Sequence, residues 1–259
     1  MSFLAALRFL TIIPVPWQRE VSPEKLSRSI SCFPVVGIII GLFLVGLDRL
    51  LGLALPSAIV NVLVIIFLVV ISGALHLDGL IDTCDGIAGH KTVEDRLRIM
   101  RDSRVGGFGV IGASFLILFK FVSLSSVPEN LIMPTLVLMP VISRWAMVYA
   151  IFAYPYARPS GLGKVFKQGA NWQRFTIATV ITIVLTVGVA RWANMAHFYL
   201  VGLAIMFSTW VIVVLLATYL KHKLAGLTGD TYGAINEVAE VCVLILVCLL
   251  AHNRWLGLA

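Results

Sequence analysis

Repeated long apolar runs constrain this chain more than any other feature of its sequence. A helix that crosses the hydrocarbon core of a bilayer needs about 20 mostly apolar residues, with a range of about 17 to 25. Charged residues make up only 13% of the chain, whereas an ordinary soluble domain carries about 25%. The sequence therefore predicts an all-α, polytopic integral membrane bundle of about seven transmembrane helices. The predicted spans lie near residues 32–51, 57–77, 107–127, 131–153, 175–190, 197–220 and 234–251.

The rest of the sequence argues against several classes of protein. The stretches between the spans are too short for a separate soluble core, so residues 1–259 are predicted to form a single membrane-embedded domain. The net charge of +7 is spread through short loops, which is typical of the positive-inside rule and not of nucleic-acid binding. The four cysteines lie in or beside apolar runs without a metal-ligand spacing, so they are interpreted as small hydrophobic residues.

The distribution of Lys and Arg predicts the orientation of the bundle. Fifteen of the 20 lie in the amino-terminal segment or in the loops after the second, fourth and sixth spans. The opposite side has only Arg49, Arg191 and Arg254. Because cytoplasmic loops carry the excess of these residues, we expect the amino terminus in the cytoplasm. The apolar segment before residue 17 lacks the features of a cleavable signal and is expected to lie in the interface or to re-enter the membrane.

The most informative motif runs from His76 to Gly86. If this stretch is helical, Asp78, Asp82 and Asp85 stand at i, i+4 and i+7 and share one face, within an arc of about 60°. Three like charges repel unless a cation lies between them, and oxygen ligands without cysteine favour Mg²⁺ or Mn²⁺. We expect the second span to continue straight through Gly86, roughly 43 Å long, so that the motif emerges from the membrane. A solvated helix end is the alternative interpretation.

Arginines and glycines follow this motif. Thr92 opens a capping-box pattern that predicts a short polar helix. Arg101 and Arg104 lie beyond it, where they either grip phosphate oxygens or belong to an interfacial segment that carries positive-inside charge. The glycine cluster 106–109 then leaves backbone N–H groups free at the start of the third span, where a helix amino terminus favours an anion.

A third cluster lies at the start of the last span. The segment 226–233 contains Asp230, and Glu237 and Glu240 follow in the first turns of the span. One or two of these three acids would complete a metal shell begun by the aspartates, or the acids would stabilise the helix amino terminus through its dipole. Carboxylates on an otherwise apolar helix favour the metal interpretation.

Two cations lie in the middle of predicted spans, where charged side chains usually face a bundle interior or a polar cavity. Arg144 is expected to bind a phosphate or to pair with an acid, whereas Lys120 is interpreted as a residue that snorkels toward the interface. His76, beside the acidic motif, is either a base or a hydrogen-bonded structural histidine. Together these residues predict a phosphotransferase that uses a divalent metal and a phosphate-rich substrate.

Five segments in order along the chain resemble one known family, the cobalamin synthases, also called adenosylcobinamide-GDP ribazoletransferases. The most specific is the acidic motif, Asp-Gly-x-x-Asp-x-x-Asp-Gly, with the Thr-Gly-Asp segment and glutamates downstream. The resemblance extends through nearly the whole chain. Its segments are residues 9–16, 33–37, 76–86, 100–106 and 226–233.

This resemblance implies the final nucleotide-loop step of cobalamin biosynthesis. In that step α-ribazole or its 5′-phosphate displaces GMP from adenosylcobinamide-GDP, with Mg²⁺, at a multi-pass protein of the bacterial inner membrane whose active site faces the cytoplasm. The bilayer is the other expected partner, nucleic acid is not one, and a homo-oligomer is left open. By analogy, the catalytic residues would be Asp82, Asp85 and His76. The phosphate contacts would be Arg101, Arg104 and Arg144. The metal ligands would be Asp78, Asp82, Asp85, Asp230, Glu237 and Glu240.

Two other functions remain as alternatives from the sequence. A CDP-alcohol phosphotransferase is also membrane-embedded and rich in aspartate, but its motif places Ala-Arg soon after the first Asp-Gly, where this chain has Leu80-Ile81. A divalent cation transporter would place its acids near the bilayer midplane between repeats or broken helices. Here the acids are predicted to cluster at one face, and the sequence shows no internal repeat.

Overall fold

A computed structural model describes residues 2–15, 22–89, 91–194 and 198–253. Within these residues the chain is helical, apart from loops and one isolated bridge between Tyr156 and Leu227. A short 3-10 turn, Ser29–Cys32, joins the second helix to the third. The helices are α1 (Ser2–Leu10), α2 (Pro23–Arg28), α3 (Phe33–Leu51), α4 (Ser57–Ile71), α5 (Leu75–Ile87), α6 (Val93–Ile99), α7 (Gly107–Ser126), α8 (Glu129–Ala153), α9 (Leu162–Gly169), α10 (Trp172–Trp192), α11 (Phe198–Leu224) and α12 (Gly229–His252).

The described helices confirm the polytopic membrane bundle. Six segments are long and apolar enough to cross a bilayer, and the bent pair α4–α5 raises the number to seven if it counts as one span. The six contain α3, α7, α8, α10, α11 and α12. The cytoplasmic position of the amino terminus stays a prediction from charge. Two arginines used in that prediction, Arg19 and Arg254, lie outside the described residues.

The straight second span predicted from the sequence is wrong. Helix α4 ends at Ile71, and α5 leaves it at an angle of 86°. Gly73 and Ala74 both adopt the left-handed backbone conformation, with φ of 60° and 56°, which ends a right-handed helix. The backbone N–H of Ile12 donates to the Ile71 carbonyl over 2.8 Å, which ties the amino-terminal segment to the bend. As a result, α5 turns its acidic motif across the bundle instead of continuing along the axis of α4.

Helix α8 forms the centre of the bundle. Eighteen of its 25 residues are buried, and it packs against α3, α10, α11 and α12. Gly37 and Gly41 of α3 are spaced as in the small-residue motifs that let membrane helices approach closely. A β-carbon on Gly37 would lie 2.4 Å from the Pro140 carbonyl oxygen, and one on Gly41 would lie 2.7 Å from the Val137 Cα. The contact between α3 and α8 is therefore made by backbone against backbone.

Large apolar side chains cover the outside of the bundle. Phe115 and Phe119 on α7, Val184 on α10, and Phe207 and Leu215 on α11 are all more than half exposed. In water such a surface would promote aggregation. In a bilayer it meets hydrocarbon, and the helices satisfy their backbone hydrogen bonds internally.

Candidate active site

One cavity of about 410 Å³ lies where α1, α5, α8, α9 and α12 meet the loop between α8 and α9. Both acidic segments singled out in the sequence contribute to its wall. Its charged lining residues are Asp78, Arg101, Arg158 and Asp230. Its uncharged polar side chains are His76, Tyr156, Ser160 and Tyr232. The remaining wall is apolar or glycine.

Glycines bring the two acidic segments together. A β-carbon on Gly79 of α5 would lie 2.6 Å from the Asp230 carbonyl oxygen. A β-carbon on Gly233 of α12 would lie 3.0 Å from the carbonyl oxygen of His76. Since real β-carbons rarely approach other atoms so closely, glycine at both positions permits α5 and α12 to touch along their backbones. This contact places the His76–Gly86 motif directly against the first turns of α12.

Asp78 and Asp230 line the cavity, whereas Asp82, one turn further along α5, does not line it but lies close enough to both to interact with them electrostatically. Asp82 is acted on electrostatically by Asp230, by Asp78 and, more weakly, by Asp85. Asp230 also feels the charge of Asp78. The helix predicted for the acidic motif is confirmed, and Asp230, which the sequence also placed in this site, lies close to it although the two segments are about 150 residues apart in the chain.

Arg158 opposes this negative charge and was missed in the sequence. Its Nη2 lies 2.6 Å from Asp230 Oδ2 and donates to the Met100 carbonyl over 3.3 Å. The Arg158 side chain is only 12% exposed, and among the described residues its Nε finds no hydrogen-bond partner. Arg158 had been counted only as one of the loop cations. The Tyr156-Ala157-Arg158 loop runs beside the segment of Leu227. This long-range pairing is not visible in sequence spacing, so the sequence offered no signal for the role of Arg158.

The capping pattern at α12 explains why Asp230 is held at this position. Thr228 caps the helix by accepting from the Thr231 N–H over 3.2 Å, and the Thr231 hydroxyl accepts from the Thr228 N–H over 2.8 Å. Asp230 therefore lies in a fixed first turn, where the helix dipole favours a carboxylate. The predicted cap at Thr92 is also confirmed, since its hydroxyl accepts from the Asp95 N–H over 3.2 Å at the start of α6.

Asp85 has a different environment from the one expected for a catalytic metal ligand. Its Oδ2 accepts from the Gly106 N–H over 2.7 Å, and its Oδ1 accepts from the Gly109 N–H over 2.8 Å. A β-carbon on either glycine would lie within 2.6 Å of this carboxylate. The anion predicted at the start of the third span is therefore Asp85 itself, which caps α7. Both carboxylate oxygens serve this cap, so the role that the structure shows for Asp85 is a structural one at the start of α7.

Glu237 and Glu240 form ion pairs with cationic side chains inside the bundle. Lys120 Nζ lies 2.7 Å from Glu237 Oε2 and 2.5 Å from Glu240 Oε2. Arg144 pairs with the other oxygen of Glu240, which also accepts from Asn236 over 3.1 Å. The charged side chains of this ionic cluster are at most 5% exposed. Two cations and two anions thus neutralise one another inside the bundle.

The ionic cluster corrects three expectations. Lys120 does not snorkel, because its ammonium group is buried between two carboxylates. Arg144 takes the acid-pairing alternative, and it does not line the cavity in which a substrate phosphate would lie. Glu237 and Glu240 have their charge balanced by these cations, so they lack the unpaired negative charge that suggested a metal. The sequence carried a signal for this pairing, since two unpaired mid-span cations and two unpaired acids are each costly alone.

Arg101 and Arg104, two of the three arginines predicted to contact phosphate, lie at different cavities. Arg101 lines the main cavity. Arg104 lines a second cavity of about 270 Å³ and is paired with Asp102, its Nη2 lying 2.7 Å from Asp102 Oδ2. Hydrogen bonds from Arg104 lower the pKa of the exposed Asp102 carboxyl to about 2. Of the three arginines predicted to contact phosphate, only Arg101 therefore lines the same cavity as Asp78 and Asp230.

Three buried polar atoms of cavity-lining residues find no hydrogen-bond partner among the described residues. They are the Nε of Arg158, the Nε2 of His76 and the hydroxyl of Tyr232. Unpartnered buried groups are uncommon in proteins, and when they line a cavity they are available to a ligand. Tyr156, which stacks obliquely on Tyr232 with ring centroids 6.3 Å apart, has its pKa raised by burial and so remains a neutral hydroxyl.

The carboxylate oxygens at this site suit a hard divalent cation, but they do not form a complete set of ligands. Asp78, Asp82 and Asp230 offer carboxylate oxygens without any nearby sulfur ligand, and they repel one another in the absence of a cation. Within the described residues, however, no group of three or more His, Cys, Asp or Glu side chains is arranged to hold a metal by itself. This arrangement suits Mg²⁺, which is typically bound by one or two carboxylates together with the phosphates of a substrate.

Comparison with known proteins finds a family whose model matches nearly the whole chain. Residues 2–248 match the family model described as cobalamin-5-phosphate synthase. The chain belongs to this family. Several relatives carry the name adenosylcobinamide-GDP ribazoletransferase, and the resemblance predicted from the motifs is thereby confirmed. No solved structure matches the chain.

The relatives cover nearly the full length of the chain. The protein of Geotalea daltonii is 36% identical over 95% of this chain and 97% of its own. That of Roseiflexus sp. is 37% identical, over 97% and 91% respectively. That of Desulforamulus reducens is 34% identical, over 98% and 99%. The region matched by the family model therefore contains both acidic segments and the membrane helices described above, except for the last turn of α12.

Proposed function

We propose that this chain is an adenosylcobinamide-GDP ribazoletransferase, which joins adenosylcobinamide-GDP to α-ribazole or its 5′-phosphate and releases GMP. The observation that carries the proposal is the match of residues 2–248 to the cobalamin-5-phosphate synthase family, taken with the convergence of both acidic segments on one cavity. The same family match removes the reason to prefer CDP-alcohol substrates or cation transport.

The reaction requires one phosphorus–oxygen bond to form and another to break. A ribose hydroxyl oxygen of ribazole attacks the phosphorus that carries the cobinamide. The bond from that phosphorus to the bridging oxygen breaks, and GMP leaves with the bridging oxygen. The hydroxyl gives up its proton during the attack. Catalysis of this type depends on positioning and on stabilising the charge of the transferring group.

His76 is the proposed acceptor of the hydroxyl proton. His76 lines the cavity, and its buried Nε2 finds no hydrogen-bond partner among the described residues. A base must lie within hydrogen-bond reach of the proton that it takes, and a ring nitrogen already used in a structural hydrogen bond could not fill this role. Its neighbour across the helix contact, Gly233, keeps α12 close to the histidine backbone.

Arg101 and Arg158 are the proposed contacts for phosphate oxygens. Both line the cavity, and Arg158 keeps an unpartnered Nε–H while its Nη2 binds Asp230. A guanidinium held by a carboxylate and a backbone carbonyl is already oriented, so little side-chain freedom is lost when an anion binds. Arg104, paired with Asp102 at another cavity, is left out of this role.

Asp78, Asp82 and Asp230 would hold Mg²⁺. When bound, the ion would neutralise the diphosphate and favour departure of the GMP phosphate. The predicted location, a bacterial inner membrane with the cavity open to the cytoplasm, is part of the same proposal. It is supported by the excess of Lys and Arg in the loops on the side of α6 and α9.

The test is release of GMP by the detergent-purified protein supplied with adenosylcobinamide-GDP and α-ribazole 5′-phosphate. We expect release with Mg²⁺, loss of release when a chelator is added, and recovery when Mg²⁺ is restored in excess. A corrinoid product of matching mass must appear with the GMP. An intact, monodisperse sample that releases no GMP under any of these conditions would refute the proposal.

A further inference from the structure

The wall of the main cavity divides by chemistry into two groups of residues. The charged group, Arg101, Arg158, Asp78 and Asp230, includes a direct ion pair between Arg158 and Asp230. The other group is apolar and comes from α1, the start of α5, the last turns of α8, and α9. Its members are Phe9, Leu75, Met147, Ile151, Leu162 and Phe166. The charged group suits phosphates, but the reaction by itself does not require the apolar group.

Two aromatic rings anchor this apolar group. The rings of Phe9 and Phe166 lie 4.6 Å apart, tilted at 56°, and Phe33 supports Phe166 from behind at 5.6 Å. Phe166 is almost fully buried, whereas Phe9 is half-buried and can give part of its ring to a ligand. Aromatic rings of this kind bind flat, apolar ring systems by stacking or edge contacts.

The size of the cavity limits which substrate it can enclose. At about 410 Å³ it is near the lower end of the range of pockets that enclose drug-sized ligands, about 300–1,000 Å³. One nucleotide fits this volume. A corrinoid ring with its side chains is several times larger, so only the nucleotide end of adenosylcobinamide-GDP, or else the ribazole substrate, can occupy the cavity.

The hydrogen-bonding chemistry distinguishes these two nucleotides. Guanine presents donors and acceptors around its edge, and these would lose their water without gaining partners against Phe9, Met147 and Ile151. The base of α-ribazole is a methyl-substituted benzimidazole, whose outer edge carries no hydrogen-bonding group. This edge therefore loses no hydrogen bonds to water when it is buried, and the transfer of its methyl groups out of water is favourable.

We propose that the apolar group of the cavity is the binding subsite for the benzimidazole base of ribazole. The ribose and any 5′-phosphate then extend toward His76, Arg101 and Arg158. This inference rests on the proposed function, because it assigns one of the two substrates of that reaction to a place. It leaves the corrinoid outside the cavity, with only its diphosphate reaching the charged group.

The test compares two phenylalanines of the same helix. Phe9 and Phe3 are both half-buried residues of α1 that pack against the core, but only Phe9 lines the cavity. Binding of α-ribazole to detergent-purified wild type, Phe9→Ala and Phe3→Ala is measured by equilibrium dialysis, without the corrinoid substrate. We expect Phe9→Ala to weaken binding about tenfold or more and Phe3→Ala to weaken it less than about twofold.

A competition experiment on the wild type needs no variant and covers the case in which Phe9→Ala does not fold. Unlabelled benzimidazole riboside should displace bound α-ribazole, and guanosine at the same concentration should not. Equal binding by Phe9→Ala and Phe3→Ala, or equal displacement by guanosine, would overturn the subsite. Because these measurements need no turnover, they are separate from GMP release, whose absence would refute the proposed function and not the binding of ribazole.

Discussion

Replacement of Lys120 by methionine tests the buried ionic cluster of Lys120, Arg144, Glu237 and Glu240. Methionine is similar in length and apolar, so the change removes the charge with little change in packing. In the wild type, Lys120 serves both glutamates, and Arg144 serves only Glu240. In the variant, Arg144 still forms its ion pair with Glu240, whereas Glu237 becomes a buried carboxylate without a cation in direct contact.

The expected magnitude follows from this charge balance. Breaking a buried pair by removing one partner costs about 3–5 kcal/mol, because the remaining charge is uncompensated. Glu237→Gln in the same chain removes that leftover charge. The double variant Lys120→Met/Glu237→Gln should therefore recover most of the lost stability, although it carries one more substitution. A packing effect alone would instead make the double variant at least as unstable as the single one.

The assay is unfolding of the purified protein in mixed detergent micelles, followed by tryptophan fluorescence as the denaturing detergent is raised. Lys221→Met, which removes an exposed lysine of α11, is the matched control and should change stability by less than about 0.5 kcal/mol. The reasoning is refuted if Lys120→Met behaves like Lys221→Met, or if adding Glu237→Gln restores nothing.

Three further substitutions test individual contacts. Arg158→Gln should reduce the rate of GMP release about a hundredfold, because the change removes a cavity cation and leaves Asp230 without its ion-pair partner. The variant should elute from a size-exclusion column as the wild type does, and a wild-type rate would contradict the prediction. Gly79→Ala should lower thermal stability, since its β-carbon would lie 2.6 Å from the Asp230 carbonyl oxygen, whereas Gly46→Ala meets nothing within 4 Å and should be neutral by the same melting assay. Asp85→Ala should cost about 1–2 kcal/mol in detergent unfolding, because α7 loses its cap; unchanged stability would exclude that role.

Hydropathy predicted most of the fold, since the length and apolar character of a span are local properties of the sequence. Six of the seven expected spans each correspond to one described helix, including α10, whose predicted core was short, and the seventh is divided between α4 and α5. The straight second span failed because Ser72 and Gly73 interrupt an otherwise continuous apolar run. A single glycine in such a run is a weak signal, and the hydrogen bond from Ile12 to Ile71 at the bend is a tertiary contact that the sequence does not show.

The candidate site was predicted less completely, for a physical reason. Spacing on one helix placed Asp78 and Asp82 together, but it could not show which charges on different helices neutralise one another. The acids of α12 illustrate this: Asp230 lines the cavity, whereas Glu237 and Glu240 turn to Lys120 within the bundle. Those partners lie more than 100 residues apart in the chain, and only the packing of α7 against α12 brings them into contact.

The central claim is that the carboxylates at the cavity belong to the reaction centre of the transferase. The most direct measurement is the rate of GMP release by Asp78→Asn, compared with Asp48→Asn at the far end of α3. The account predicts that Asp78→Asn elutes as the wild type does and loses about a hundredfold or more in rate, while Asp48→Asn keeps the wild-type rate. A folded Asp78→Asn protein that releases GMP as fast as Asp48→Asn would contradict it.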